Sequence, residues 1–186
     1  MGGSMPRIPL PDVASLSPEV REAIGETPAN VGLLMAAASP AVYQGLGALG
    51  SALLRGSHLP PDLRELAILR VGYLSGSAYE VFQHEALARH IGMNEAWIDA
   101  IRAGDGASPA LGPVERDVMA FVEDIVANVR ASDERLAAVM QHLDSSQIVD
   151  LVVVTGYYMT VCRLLETSGI ELDESPIDWQ VQQQRQ

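Results

Sequence analysis

Apolar positions recur along this chain every three or four residues, and nowhere is a strict apolar–polar alternation sustained. That period belongs to helices packed through one face, so the pattern predicts an all-α protein. Start signals divide it into elements. Ser17-Pro18-Glu19 reads as a cap, a proline at the first helical position and an acid in the first turn, with Gly25 as the stop. Short helices are expected over 18–24 and 30–38, and Ser39-Pro40 opens a longer one over 41–54 that carries Gly45, Gly47 and Gly50. Further helices are expected over 62–74, 77–91, 95–102 (capped by Asn94), 114–130 and 133–143. Asp144-x-x-Gln147 resembles a capping box and precedes an almost uniformly apolar stretch, 148–165. That stretch is shorter than a comfortable membrane span and reads as a central buried helix, possible also at a subunit contact.

Residues 65–91 break the pattern informatively. In the helix over 77–91, Ser77, Glu80 and His84 share a face with Val81, Leu87, Ala88 and Ile91, while Gln83, Glu85, Arg89 and His90 occupy the side expected to be solvated. A carboxylate and an imidazole one turn apart on a core-facing stripe require an explanation. The preceding helix has Leu63, Leu66, Ala67, Val71 and Leu74 on one stripe with Arg70 inside it, and Ile68 and Leu69 on another, so most of its surface should be covered. Glu65 shares a face with Gly72, where a backbone or ligand can approach closely. Two antiparallel helices can thus bring Glu65, Ser77, Glu80 and His84 together.

The run RELAILRVGYLSGSAYEVFQHEALARHIG resembles the central motif of the carboxymuconolactone decarboxylase and alkylhydroperoxidase D-like superfamily. In the redox branch a Glu precedes a Cys-x-x-Cys pair and a His follows it; here those positions are Glu65, Ser77, Glu80 and His84, with both cysteines absent. Tyr79-Glu80-x-x-x-His84 instead resembles the cysteine-free, decarboxylase-like branch. The resemblance implies an alkylhydroperoxidase D-like helical bundle built around a central antiparallel helix pair. It also implies a small-molecule substrate and a homo-oligomer, trimer or hexamer.

Composition narrows the partners. With a formal charge of −12, nucleic acid and anionic membrane surfaces are not expected partners. The single cysteine, Cys162, permits no disulfide within one chain and suits a reducing, cytoplasmic setting; no signal peptide is evident. Residues 1–16 read as a cloning scar followed by an extended arm, 17–173 as one helical domain, and 174–186 as a mobile or exchanged tail.

The function these features favour is cofactor-independent acid–base chemistry: decarboxylation, elimination or isomerisation of a small oxygenated, anionic substrate. His84 is the candidate proton-transfer group because an unperturbed imidazole titrates near neutrality, with Glu80 and Glu65 as catalytic partners. Ser77, Arg70 and Tyr79 are candidate substrate contacts, with Arg70 placed either to neutralise a substrate carboxylate or to bridge to Glu65. Bland roles stand beside these: Ser77 as a helix cap, Glu65 as the partner of Arg64 or Arg70, His84 as a hydrogen-bonded core residue. Glu80, His84 and Glu65 could also bind a metal, although no metal or cofactor is required. The competing functions are a peroxidase or disulfide reductase-like protein that has lost its redox cysteines, and a non-catalytic oligomeric binding protein.

Overall fold

The computed structural model describes residues 6–25 and 28–178. Among these, nine α-helices and no strand occur: α1 Pro18–Ile24, α2 Asn30–Ala36, α3 Pro40–Gly56, α4 Pro61–Leu74, α5 Ala78–His90, α6 Glu95–Ala103, α7 Pro113–Asn128, α8 Asp133–Val139 and α9 Ser145–Ser168. The expected arm also holds a single 3₁₀ turn, Val13–Ser15, capped by Asp12. The proposed scar, residues 1–4, lies outside the described residues.

Helix α4 is the axis of the bundle and packs against α5, α6, α7 and α9. Its Leu66, Ile68, Leu69 and Val71 are wholly buried, on different sides of the helix. Each such side chain contributes about 1.5–3 kcal/mol of hydrophobic stabilisation. The exception to the expected stripe is Leu74, which ends the helix exposed. The turn into α5 is made by Gly76, at φ +63°. Its N–H donates to the Tyr73 carbonyl, and the Ser77 N–H donates to the Gly72 carbonyl, closing the helix end with paired bonds that a left-handed residue permits. Gly72 itself lets α5 come close: a Cβ there would stand 3.1 Å from Val81 Cγ2.

Helix α9 is longer than the sequence pattern suggests. The Asp144–Gln147 capping box starts it at Ser145, and Gly169, at φ 63°, ends it. Its 24 residues make it the one helix among those described that is long and apolar enough to cross a membrane, with 39% of its most apolar window buried. Leu151, Val154, Tyr158, Val161, Cys162 and Leu165 form its buried stripe, while Val149 and Val152 face outward. Helix α7 ends two residues before the expected 130. There the Asp124 carboxylate accepts from the Ser132 N–H at 2.7 Å and draws the chain out of the helix.

After α9 the chain turns back across α5 without regular structure. Within the expected tail the Ile177 N–H donates to Gln83 Oε1 at 2.8 Å, and residues 179–186 lie outside the described residues. Gln83, expected on the solvated side of α5, is accordingly buried.

Candidate active site

Four ionisable side chains form a buried series between α4 and α5. Arg64 Nε lies 3.3 Å from Glu65 Oε1. Glu65 Oε2 lies 2.7 Å from His84 Nδ1. His84 Nε2 lies 3.1 Å from Glu80 Oε1. Helix geometry explains the order: Glu80 and His84 are one turn apart on α5, and Glu65 faces them from α4, two turns before Gly72. The four groups carry two positive and two negative charges, so the series is neutral as a whole, which is how ions survive in a core.

The imidazole is the pivot. Burial alone would lower its pKa, but the Glu65 and Glu80 carboxylates outweigh burial and raise it from 6.5 to about 10. His84 is therefore an imidazolium at neutral pH, not the near-neutral titrating base that an unperturbed histidine suggests. Stability should record this. Between pH 6.5 and about 10 the folded state holds a proton that the unfolded state has released. The His84 contribution is complete below that window, falls as pH rises through it by at most about 1.4 kcal/mol per unit, and is gone above it. Urea denaturation at pH 7, 8 and 9 should show declining stability, and His84→Gln should flatten the slope. A wild-type stability independent of pH across that window would exclude the imidazolium.

Beyond Glu80 the series meets a polar atom with unused capacity. Ser77 Oγ is buried without a directed hydrogen bond, while the buried Glu80 carboxylate is paired with the imidazole. A buried polar atom left without a partner costs about 1–3 kcal/mol. Cys162, from α9, borders both: burial first, and then the Glu80 charge, push its thiol up to about 12, opposed by the Ser75 and Ser77 hydroxyls. Such a thiol is protonated and unreactive at neutral pH. Tyr158, also on α9, meets the His84 ring edge-on, with centroids 4.9 Å apart. From the sequence, Tyr158 reads first as core packing and Cys162, four residues later, as an inert buried thiol; their shared side of α9 was legible, but not that this side meets α5.

Two expected contacts fall elsewhere. Arg70 turns toward α6 and α7, with Nε 2.7 Å from Glu123 Oε1 and Nη1 3.1 Å from the Ile101 carbonyl. It neither bridges to Glu65 nor stands with Glu80, because its position on α4 faces away from α5. Tyr79 points from α5 to the chain ends: its hydroxyl accepts from the Val31 N–H at 3.1 Å and donates to Asp173. Ser77 is the residue before α5 but makes no side-chain cap. Glu65, His84 and Glu80 are strung in line instead of converging on one point. Among the described residues, no group of three or more His, Cys, Asp or Glu is arranged to hold a metal ion.

The comparisons agree with this architecture. Residues 40–124, which contain the whole ion series, match the Carboxymuconolactone decarboxylase family. An alkylhydroperoxidase AhpD core protein from Ralstonia eutropha, described as peroxidase-related and uncharacterised, superposes with a TM-score of 0.80 at 20% identity, covering 93% of this chain and 95% of its own. The chain thus resembles the carboxymuconolactone decarboxylase family over residues 40–124 and shares the fold of an alkylhydroperoxidase D-like protein. An AhpD-like protein of unknown function from Agrobacterium tumefaciens is 25% identical, with a TM-score of 0.68 over 74% of this chain and 94% of its own. The debrominase Bmp8, in complex with 2,3,4-tribromopyrrole, shares the fold at 14% identity and a TM-score of 0.71, over 90% of this chain and 88% of its own. No curated protein matches the sequence. The motif positions at which the sequence resemblance would put two redox cysteines hold Ser77 and Glu80 in this chain.

Proposed function

We propose that this protein is a cofactor-independent enzyme that moves protons on a small oxygenated substrate, with Glu80 as the group that meets the substrate. The carrying observation is the buried Ser77 Oγ, which lacks a directed hydrogen bond, three residues before Glu80 at the end of a charge-balanced series. The Glu80 carboxylate takes a proton from a carbon acid, and an enolate or carbanion forms beside the imidazolium. His84 remains protonated and stabilises the new negative charge, as a fixed positive group in a dry site does. The Ser77 hydroxyl donates a hydrogen bond to the developing oxyanion. Return of the proton from Glu80 to a different carbon gives isomerisation; departure of a leaving group instead gives elimination. In decarboxylation the substrate loses carbon dioxide first, and the resulting carbanion takes a proton from Glu80 in its acid form.

Arg64 and Glu65 do not meet the substrate in this scheme. They keep the imidazole charged and oriented, the supporting role that outer partners take around a reacting group. Because Arg70 is engaged by Glu123, a substrate carboxylate near Glu80 would lack that cation. The test is turnover of a panel of lactones, enols and β-keto acids by wild type and by Glu80→Gln, followed in single-turnover mode. A panel member converted by wild type and not by the variant supports the reading.

We infer further that the working form is a homo-oligomer. Val149 and Val152 on α9 and Val42 and Leu49 on α3 are exposed apolar residues at 60%, 43%, 52% and 41%. Such surface is commonly covered by another subunit. Light scattering at micromolar concentration should give a mass above one chain, and a monomer alone would exclude the assembly.

A further inference from the structure

Two tyrosines are buried, Tyr79 and Tyr158. The Tyr79 hydroxyl accepts from the Val31 N–H and donates to Asp173. The Tyr158 hydroxyl makes no hydrogen bond among the described residues, although Tyr158 is only 4% exposed. Its half-buried neighbour Tyr157 donates to the Leu46 carbonyl at 3.0 Å. A buried tyrosine normally finds a partner for its O–H, because an unmet polar group in a core is costly. Packing alone would be served as well by a phenylalanine ring. The Tyr158 hydroxyl therefore points to a partner from outside the chain.

Two contacts between α9 and α5 place that hydroxyl. Tyr158 meets His84 edge-on, with centroids 4.9 Å apart, and Cys162, one turn later, borders Ser77. Ser77 precedes His84 by about two turns, so the helices pass each other in opposite directions. Glu80 lies between Ser77 and His84 on α5, and hence beside the stretch of α9 from Tyr158 to Cys162. Its charge acts on both of these residues. It raises the Cys162 thiol, and after burial it is the largest influence that raises the Tyr158 hydroxyl, ahead of Glu65 and opposed by Arg64. The phenol is accordingly a neutral O–H donor at neutral pH. Glu80 has an unengaged hydroxyl on either side, Ser77 Oγ from the start of α5 and Tyr158 from α9.

We propose that Tyr158 is a second substrate contact, its hydroxyl donating to one carbonyl oxygen while Ser77 holds another, so that the site takes compounds whose acidic C–H lies between two carbonyl groups. This rests on the reading of Glu80 as the proton acceptor. A carboxylate is a weak base, and a C–H flanked by two carbonyls is acidic enough for it. The enolate spreads its charge over both oxygens, and each then meets a fixed donor whose hydrogen bond strengthens as the charge develops. Glu80 takes the proton and the C–H electron pair enters the enolate. Return of the proton from the carboxyl group restores the neutral compound. Tyr158 keeps its own proton throughout.

Ethyl acetoacetate, with one CH₂ between its carbonyls, and ethyl levulinate, with two, are the probes. In deuterated buffer, proton NMR follows loss of the signals of the CH₂ groups between the carbonyls. The wild-type protein should accelerate exchange over buffer for ethyl acetoacetate and not for ethyl levulinate. Tyr158→Phe, which keeps the ring against His84, should lower that acceleration by about 10²-fold, the effect of removing one donor to an oxyanion. Its melting temperature should not fall, since the hydroxyl has no bond to lose. Tyr157→Phe should show the opposite pattern, a lower melting temperature from loss of the bond to Leu46 and exchange at the wild-type rate. No acceleration for ethyl acetoacetate, or equal acceleration for both probes, overturns the substrate class. Wild-type exchange by Tyr158→Phe, or a lowered melting temperature in that variant, overturns the role of its hydroxyl. Undiminished exchange by Glu80→Gln would remove the proton-transfer reading itself, whereas slow exchange by Glu80→Gln beside fast exchange by Tyr158→Phe removes this inference alone.

Discussion

Glu80→Gln converts a verified substrate about 10²–10⁴ times more slowly than wild type, the contribution expected of a positioned acid or base. The substitution keeps the shape and the hydrogen-bonding capacity of the side chain and removes the charge and the proton acceptor. His84 retains Glu65 at 2.7 Å, so the imidazole keeps one of the two carboxylates that favour its charged form, and the packing around it survives. The loss should therefore appear in the chemical step and not in the fold, and circular dichroism should be unchanged. Single-turnover kinetics decide the matter. If the variant reacts at the wild-type rate, proton transfer by Glu80 is untenable and the binding-protein reading gains ground.

Glu65→Ala has the other large effect, and it falls on stability. Glu65 is completely buried and stands between two cations, Arg64 and His84. Its removal leaves a guanidinium and an imidazolium facing each other across a cavity. Breaking a buried ion set in this way costs about 3–5 kcal/mol. That is a large part of the roughly 5–15 kcal/mol that holds an ordinary domain together. For a chain of this size it corresponds to a melting point lower by about 6–20 °C. Part of the loss can be recovered by discharging the imidazolium, so the variant's deficit should shrink between pH 6 and pH 8. Calorimetry at both values checks this. A melting point within two degrees of wild type would mean that water solvates the series and that its buried reading is wrong.

The sequence was legible where local rules decide. Caps and stops placed most helix ends, since Ser17, Asn94 and the Asp144–Gln147 pair each bond to their own first turn. The 3.6-residue period also placed Glu80 and His84 on a core-facing stripe, and the superfamily motif added Glu65. What it could not supply was the rotation of one helix against another. Arg70 lies on a turn of α4 that meets α7, and nothing within α4 announces which neighbour lies there. Gln83 was assigned to solvent because a wheel drawn for α5 alone cannot show that a tail some 90 residues away will cover it. The charge state of His84 was misread for a similar reason. An imidazole's ordinary pKa belongs to water, and two carboxylates in a dry core reverse it.

The separations along the chain at Asp173 imply an order of assembly. The Glu65–His84 contact closes a loop of 19 residues, whereas the Asn30–Asp173 contact closes one of 143. By loop-closure entropy the longer closure costs about 2 kcal/mol more, so the ion series can form before Asp173 docks. Asp173 is also synthesised after Asn30, Tyr79 and Gln83, the three residues that bond to its carboxylate. The contact that ties α2, α5 and the segment after α9 together is therefore a late one in the growth of the chain.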